Sequence, residues 1–202
     1  MRPKHITYTI APGAATAIGL AQTKAGAGAL LINGLLAVAG VATIPIARHI
    51  EIACVADESL ITFTLTGTDR YSVVITEAVT GVAAGLKATS IKNFKTITGI
   101  SVSAALTGNV TIGTAGSLQT GWVPVDSSKI TDVGVTKAAL ADMDYAVETT
   151  MGDIYTMAEN DLPIDGAEGT PIGLPAATAV RLSIVNHVSG NVSMDIISRR
   201  FS

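Results

Sequence analysis

Apolar and polar residues alternate in short stretches along this chain. From Ile61 to Leu65 every second residue is apolar, and the residues between them are threonines. Strict alternation predicts a strand with one dry and one solvated face, because successive side chains of a strand point to opposite faces. Turn residues follow at 67–70, and the apolar residues Val73, Ile75 and Ala78 come next. The pattern therefore predicts two strands, at 60–66 and 71–78, joined by a turn.

The same pattern extends over the whole chain and predicts short strands separated by turns rich in Gly, Pro and Asn. About ten to twelve strands, spaced roughly 8–12 residues apart, are typical of an antiparallel sandwich or barrel. The chain is therefore predicted to be all-β, an antiparallel β-sandwich or jelly-roll-like domain with extended loops or arms. The other predicted pieces are a strand at 6–10, a hairpin at 29–44 folded at Asn33-Gly34, a strand at 48–56, a hairpin of 94–103 and 110–113 across 107–109, a short edge element at 122–125, and a closing hairpin across 189–191.

Changes in composition and in the predicted strands divide the chain into four segments. Residues 1–24 form an arm that contains one strand, and residues 25–125 form the core of the sandwich. Acidic residues outnumber basic ones after Asp126, which marks 126–178 as an acidic, loop-rich insertion with a short helix or strands. Residues 179–202 supply the C-terminal hairpin that completes the sandwich.

Residues 25–47 form an apolar run without a charge, which is long enough for a membrane helix. Glycines interrupt the run, Asn33-Gly34 is a strong hairpin signal, and Pro45 closes it. These breaks favour two buried strands over a membrane span, with an arm that orders only against a neighbour as a third possibility. If the strands are buried, an aspartate at Leu31 or Leu36 abolishes soluble folding, because an unpaired buried charge costs several kcal/mol.

Charged residues make up only 14% of the 202 residues, against about 25% in typical soluble domains. A soluble monomer needs surface charge, so this shortage favours a surface covered by partner proteins over a simple bias of composition. The net charge is −3, and the longest basic cluster is Arg199-Arg200. Binding to nucleic-acid phosphates needs several clustered cations, so the sequence predicts no nucleic-acid partner.

Candidate chemical groups are few. Cys54 is the single cysteine, and its place in the apolar alternation of 48–56 favours a small buried thiol over a nucleophile. The three histidines, His5, His49 and His187, lack a His or Cys partner at metal-ligand spacing. The sequence contains no nucleophile-elbow, dinucleotide or phosphate-loop motif. We therefore expect no catalytic, cofactor-binding or metal-binding residue, no cofactor, and no enzymatic activity.

The acidic insertion is the one stretch that could hold a cation. Asp161, Asp165 and Glu168 lie in a Gly- and Pro-rich loop predicted at 159–176, which follows a short helix predicted at 137–143. Carboxylates in such loops can bind Ca²⁺ or Mg²⁺. Their spacing does not fit an EF-hand, and a solvated loop is the favoured interpretation. Turnover that required Asp161 or Asp165 would revive the enzyme alternative.

Several strand-and-turn pieces of the chain resemble a pattern found in small structural proteins of tailed bacteriophages. That pattern has a TFTVTGTD strand and turn, an acidic E-x-V-x-G strand, an F-x-TVTS strand and a closing V-x-VGT. The matching pieces here are 63–69, 77–81, 94–98 and 110–114, and 31–34 and 48–52 resemble further pieces upstream. The resemblance covers residues 25–125, about half the chain. It departs from the family at Tyr71-Ser72, where a glycine is more usual.

This resemblance implies a virion structural protein, and among these a capsid decoration (cement) protein that binds and stabilises the major capsid shell. The implied partners are the major capsid protein and further copies of the same chain, as a trimer or dimer, with no nucleic acid and no membrane. The implied location is the capsid surface of the virion, after synthesis in the host cytoplasm. Residues 1–7 lack an apolar segment directly behind their charges, so no signal peptide is expected. A tail, neck or adaptor component and a surface-binding module for host glycans are the alternatives.

Overall fold

The computed structural model describes residues 3–128, 130–138, 141–154, 166–168, 172–174 and 177–199. Within these residues the chain forms antiparallel strands and no helix, which confirms the all-β prediction. The chain divides into two compact units. Residues Gly13–Ala115 form the central unit, and Met1–Pro12 together with Gly116–Ser202 form the flanking unit.

Short strands make up most of both units. In chain order they are β1 Lys4–Thr9, β2 Ala14–Gln22, β3 Gly28–Ala29, β4 Ala37–Val38, β5 Val41–Arg48, β6 Ile50–Cys54, β7 Thr62–Thr68, β8 Val74–Thr80, β9 Lys87–Thr89, β10 Phe94–Val102, β11 Val110–Thr114, β12 Leu118–Gln119, β13 Val123–Pro124, β14 Ile130–Lys137, β15 Asp142–Thr150, β16 Gly166–Glu168, β17 Ile172–Leu174, β18 Ala179–Ser189 and β19 Asn191–Arg199. Strands β2 to β11 belong to the central unit, and β1 with β12 to β19 belong to the flanking unit.

The central unit is a sandwich of two antiparallel sheets. One sheet has the order β4-β5-β10-β7-β8, with β3 also paired to β10, and the other has the order β2-β11-β6-β9. Both sheets contribute to a single apolar core, in which Phe63 and Phe94 of the first sheet and Ile18, Ile52 and Ile112 of the second are fully buried. Burial alternates along β6 and β7, as the sequence pattern predicts.

The flanking unit contains two further sheets. Their orders are β1-β19-β14-β17 and β12-β18-β15-β16, with β13 also paired to β18. Fully buried apolar side chains lie on both sheets, including Val133 and Met194 on the first and Val147 and Leu182 on the second. The predicted edge element at 122–125 is present as β13, which among the described strands pairs only with β18.

Residues 29–44 do not form the hairpin predicted from Asn33-Gly34. The tight turn lies instead at Ala39-Gly40, between β4 and β5. Both turn residues have positive φ, 51° and 78°, which matches the twist of a two-residue hairpin. Gly34 is required for another reason, because a Cβ at this position would lie 2.3 Å from the carbonyl oxygen of Thr16. The Asn-Gly pair therefore marks a close approach of two backbones rather than a reversal of the chain.

The apolar run still places one side of the chain against the core. Leu30 is 6% exposed, whereas its neighbour Leu31 is 65% exposed. Leu36 is partly buried and packs on the core of the central unit. The prediction that Leu31 is buried is therefore wrong, because every second side chain from Leu31 to Leu35 is exposed. No helix in the described part of the chain is long and apolar enough to cross a membrane.

Two other predicted hairpins connect strands of different sheets. Strands β10 and β11 follow each other around 107–109 but belong to opposite sheets of the central unit, and β18 and β19 behave in the same way around 189–191. Gly190 does turn the chain, with φ of 92°. The strands on either side of each turn do not pair with each other. A turn signal in the sequence predicts where the chain reverses. Which side chains become buried decides whether the next strand pairs in the same sheet or joins the opposite sheet.

The acidic insertion also differs from its prediction. The helix expected at 137–143 is wrong, because Lys137 ends β14 and Asp142 begins β15. Strands β16 and β17 lie within the loop predicted at 159–176. Asp161 and Asp165 lie outside the described residues.

The two compact units have other boundaries than the four segments predicted at 1–24, 25–125, 126–178 and 179–202. The unit boundaries fall after Pro12 and after Ala115. Strand β1 pairs along its whole length with β19, which joins the first described residues to the last. Because β1 and β19 are so far apart in sequence, no local sequence pattern predicts that they pair.

Candidate functional site

The three histidines lie in separate environments. His5 stands on β1, and His187 on β18 donates from Nε2 to the carbonyl oxygen of Gly190 at 2.9 Å. His49 lies between β5 and β6, where its Nδ1 donates to the carbonyl oxygen of Ser90 at 2.6 Å. Among the described residues, no group of three His, Cys, Asp or Glu side chains could hold a metal ion.

The acidic loop that could hold a cation cannot be assembled from the described residues. Asp161 and Asp165 lie outside them, and Glu168 is placed by its backbone at the end of β16, opposite Val147 of β15. The binding of Ca²⁺ or Mg²⁺ at this loop stays a sequence prediction.

Cys54 lies in the core of the central unit, at the end of β6. Burial raises the pKa of its thiol, a backbone hydrogen bond from Val82 opposes this, and the nearby charge of Glu58 raises the pKa further. A thiol held in its protonated form is a weak nucleophile. The environment therefore favours the structural interpretation of this cysteine.

A buried carboxylate organises one end of the central unit. Glu58 is 1% exposed, and its Oε1 accepts a hydrogen bond from the backbone N–H of Gly108 at 2.8 Å. Its own backbone N–H donates to the carbonyl oxygen of Val82, and its carbonyl oxygen accepts from Ile61. One residue thus ties together the segments 55–61, 81–86 and 103–109, which we call the Glu58 loop cluster.

The Glu58 loop cluster presents apolar side chains to solvent. Leu60 is 94% exposed, and Val55 and Leu86 are also mostly exposed. Gly81 allows the loops to approach closely, since a Cβ there would lie 2.2 Å from the carbonyl oxygen of Glu58. Single exposed leucines are ordinary on protein surfaces. The three exposed apolar side chains make the Glu58 loop cluster a candidate contact surface.

A second buried carboxylate lies at the opposite end of β7. Asp69 is 1% exposed, and its Oδ1 accepts hydrogen bonds from the backbone N–H groups of Tyr71 at 2.8 Å and Val73 at 2.9 Å. These bonds fix the five-residue turn 69–73 between β7 and β8, which we call the Asp69 hairpin. The side chains of Tyr71, Val73 and Val74 are exposed around it.

The Asp69 hairpin contains a serine in a backbone conformation that favours glycine. Ser72 has a φ of 66°, in the left-handed region where glycine is favoured. The serine is tolerated because Asp69 holds the backbone on both sides of it.

Within the fully described central unit, the second carboxylate oxygen of Asp69 and that of Glu58 are both buried without a hydrogen-bond partner.

A third exposed apolar region is the edge segment, residues 31–38. Its backbone runs along β2, where the N–H groups of Asn33 and Gly34 donate to the carbonyl oxygen of Ile18. The segment thereby covers an edge of the sheet that would otherwise be open to pairing with another chain. Leu31, Leu35 and Val38 point to solvent from it.

The flanking unit contains a buried ion pair stacked on an aromatic ring. Arg181 of β18 donates from Nε to Oε2 of Glu148 on β15 at 2.6 Å, and both side chains are buried. The guanidinium carbon lies 4.3 Å from the centroid of the Trp122 ring. A pair enclosed in this way supports the packing of two strands, and it offers no free charge to a ligand.

A cleft of about 320 Å³ also lies in the flanking unit. Its walls come from Pro124, Val125, Thr178 and the residues 151–154. This volume is at the lower limit for small-molecule sites, which also need several polar groups that converge on the ligand. Asp153 is the one charged residue among the described residues of its walls.

Side chains on the exposed face of β1 and β19 form a hydroxyl–imidazole–carboxylate chain. His5 Nδ1 lies 2.6 Å from Asp195 Oδ1, and His5 Nε2 lies 3.2 Å from Thr7 Oγ1. The Thr7 hydroxyl also lies 3.1 Å from that of Ser193. Nucleophilic catalysis further needs N–H donors that converge on an oxyanion. Backbone N–H groups of a sheet lie in its plane, whereas these side chains stand above it, so we interpret the network as a lock on strand register.

No sequence pattern identifies Glu58 as a hub, because residues 57–59 look like an ordinary polar turn. A signal for Asp69 was present, since an aspartate in a turn often accepts bonds from backbone N–H groups two residues ahead. Comparisons of the chain with models of protein families, with curated proteins and with solved structures found no match.

Proposed function

We propose that this chain is a structural protein of a tailed-bacteriophage virion, and specifically a decoration protein that binds and stabilises the capsid shell. Its partners in this proposal are the major capsid protein and further copies of itself, as a trimer or dimer. The resemblance of residues 25–125 to phage structural proteins gives the class, and the exposed surfaces of the central unit support the role.

The observation that carries the proposal is the pair of apolar loop regions ordered by buried carboxylates. Glu58 and Asp69 hold the loops at the two ends of β7 before any partner arrives. Loops that are already ordered lose little conformational entropy on docking, so more of the free energy of apolar burial remains for binding. A protein that must bind a shell at many equivalent positions benefits from such preformed surfaces and needs no pocket.

The low charge of the chain supports the same role. Only 14% of the residues are charged, and the central unit exposes Leu31, Leu35, Leu60, Val74 and Ile91 among its large apolar side chains. The centres of protein interfaces are depleted in charged residues and enriched in apolar contacts. Partners that cover these side chains would also remove the association hazard that they create in isolation.

The decisive experiment is a cryo-electron microscopy map of the particle that carries this chain. Density repeated over the whole shell is the expected result and would identify the capsid as the partner. Density at a single vertex or along the tail would replace the decoration role by that of a neck or tail component. Absence of the chain from every particle would overturn the virion proposal altogether.

A binding experiment tests which surface docks. Leu60→Asp places a charge at the centre of the Glu58 loop cluster without disturbing a buried site, because Leu60 is 94% exposed. We expect this variant to fold normally and to lose most of its binding to shells that lack the protein. Thr98→Asp is the matched control, since Thr98 is exposed on β10 away from the three loops. Equal binding of the two variants would exclude the Glu58 loop cluster as the docking surface.

A further inference from the structure

We propose that β1 is an exchangeable strand, so that β1 of one copy can pair with β19 of a second copy in the register observed within one chain. The partner recognised at this sheet edge is thus a second copy of this chain. The inference goes beyond the virion role and does not depend on it.

The burial of β1 is the first reason. None of its six residues is buried, and only Ile6 and Tyr8 are even partly covered. The residues opposite them on β19, Met194 and Val192, are fully buried. Strand β1 therefore lies over one edge of the core, and its own six side chains are at most partly buried.

The specificity of the β1–β19 pairing identifies the partner. His5 lies directly opposite Asp195, and Thr7 lies directly opposite Ser193. The hydrogen bonds among these four side chains form only in this register, because a shift by one residue turns each of them to the other face. The edge of β19 is thus complementary to the sequence of β1, and any second copy of the chain carries that sequence.

The connection that follows β1 is the third reason. Ile10 is buried, and residues 11–13 are all exposed before β2 begins at Ala14. Pro12 within this connection has no N–H to donate. The exchanged piece would be residues 4–10, so that Ile10 would dock into the core of the second copy, with the exposed residues 11–13 as the hinge.

Exchange preserves every β1–β19 contact, because the same residues pair whether they come from one chain or two. The equilibrium then depends mainly on concentration, which is why exchange of an identical element is a low-cost route to oligomers. In an assembly with many neighbouring copies, the effective concentration of the second copy is high. Exchange would then link neighbours without any new type of interface.

The test uses a disulfide between two different chains, in a Cys54→Ala background. One chain carries Thr7→Cys and the other carries Ser193→Cys, since the hydroxyls of these residues lie 3.1 Å apart. The two chains are unfolded together, refolded together and oxidised. We expect a covalent heterodimer that separates into its two chains when a reductant cleaves the disulfide. Its yield should rise with protein concentration.

Two controls make the result decisive. Thr64→Cys mixed with Ala78→Cys gives the background from random collisions, because these residues are directly opposite on β7 and β8 of the central unit, whose inward side chains are buried in the core. Thr7→Cys and Ser193→Cys within one chain should close to a cross-linked monomer, which verifies the register. A heterodimer yield equal to the background at every concentration would overturn the proposal, and so would failure of the double variant to close.

Discussion

Leu30 and Leu31 are neighbours of the same type with opposite environments, and they allow a sharp test of how the central unit is packed. Leu30 is 6% exposed and belongs to the core cluster, whereas Leu31 is 65% exposed. Truncation of a buried leucine to alanine costs about 2–5 kcal/mol. The same truncation at an exposed position usually changes stability by less than about 0.5 kcal/mol. We therefore expect Leu30→Ala to destabilise the central unit strongly and Leu31→Ala to leave it nearly unchanged.

The measurement must report on the central unit. Trp122 belongs to the flanking unit, so its fluorescence is unsuitable. Amide hydrogen exchange of peptides from β10 is suitable, because this strand of the central unit is paired on both sides, with β5 and with β7. In urea, a loss of about 3 kcal/mol shifts the midpoint by roughly 1–3 M. Equal shifts for the two variants, or a larger shift for Leu31→Ala, would refute the placement of this segment against the core.

Three further predictions concern buried polar groups. Glu58→Ala leaves the N–H of Gly108 without its partner, so we expect a loss of about 1–3 kcal/mol and faster hydrogen exchange in residues 103–109. Arg181→Met leaves Glu148 buried and unpaired, which should cost about 3–5 kcal/mol in thermal unfolding, while replacing both residues by apolar ones should recover most of the loss. Burial raises the pKa of the Cys54 thiol above its ordinary value of 9.0, so the unfolded chain loses this proton first; stability should be complete below about pH 9 and decline above it. The difference in unfolding free energy between the wild type and Cys54→Ala across alkaline pH isolates this contribution, and a constant difference would contradict it.

The sequence predicted the strands of the central unit better than their partners. Alternating burial in β6 and β7 follows directly from the alternation of apolar residues with threonine, alanine and glutamate. Local patterns carry no information about which sheet a strand joins, so the turn signals at 107–109 and 189–191 predict hairpins although the strands on either side belong to different sheets. The hairpin predicted at Asn33-Gly34 is wrong for a different reason. The glycine is needed because a side chain there would clash with the carbonyl oxygen of Thr16.

The candidate surfaces were only partly visible in the sequence. The shortage of charge predicted extensive contact with partners, and the structure adds the loops that expose apolar side chains. Glu58 could not be identified, because its three loops come from distant parts of the chain and meet only in the folded unit. The register lock of His5 and Asp195 is likewise a product of pairing across nearly the whole sequence.

The pairing of β1 with β19 has a consequence for how the protein is made. Residues 13–115 can collapse as soon as they leave the ribosome, because the sheets of the central unit are complete within that span. Strand β1 is synthesised before the central unit but must wait for β19, which begins only at Asn191. At about 5–20 residues per second, translation leaves β1 without its partner for several seconds after the central unit is finished. On a crowded polysome, β1 of one nascent chain could meet the completed β19 of a neighbour during that interval.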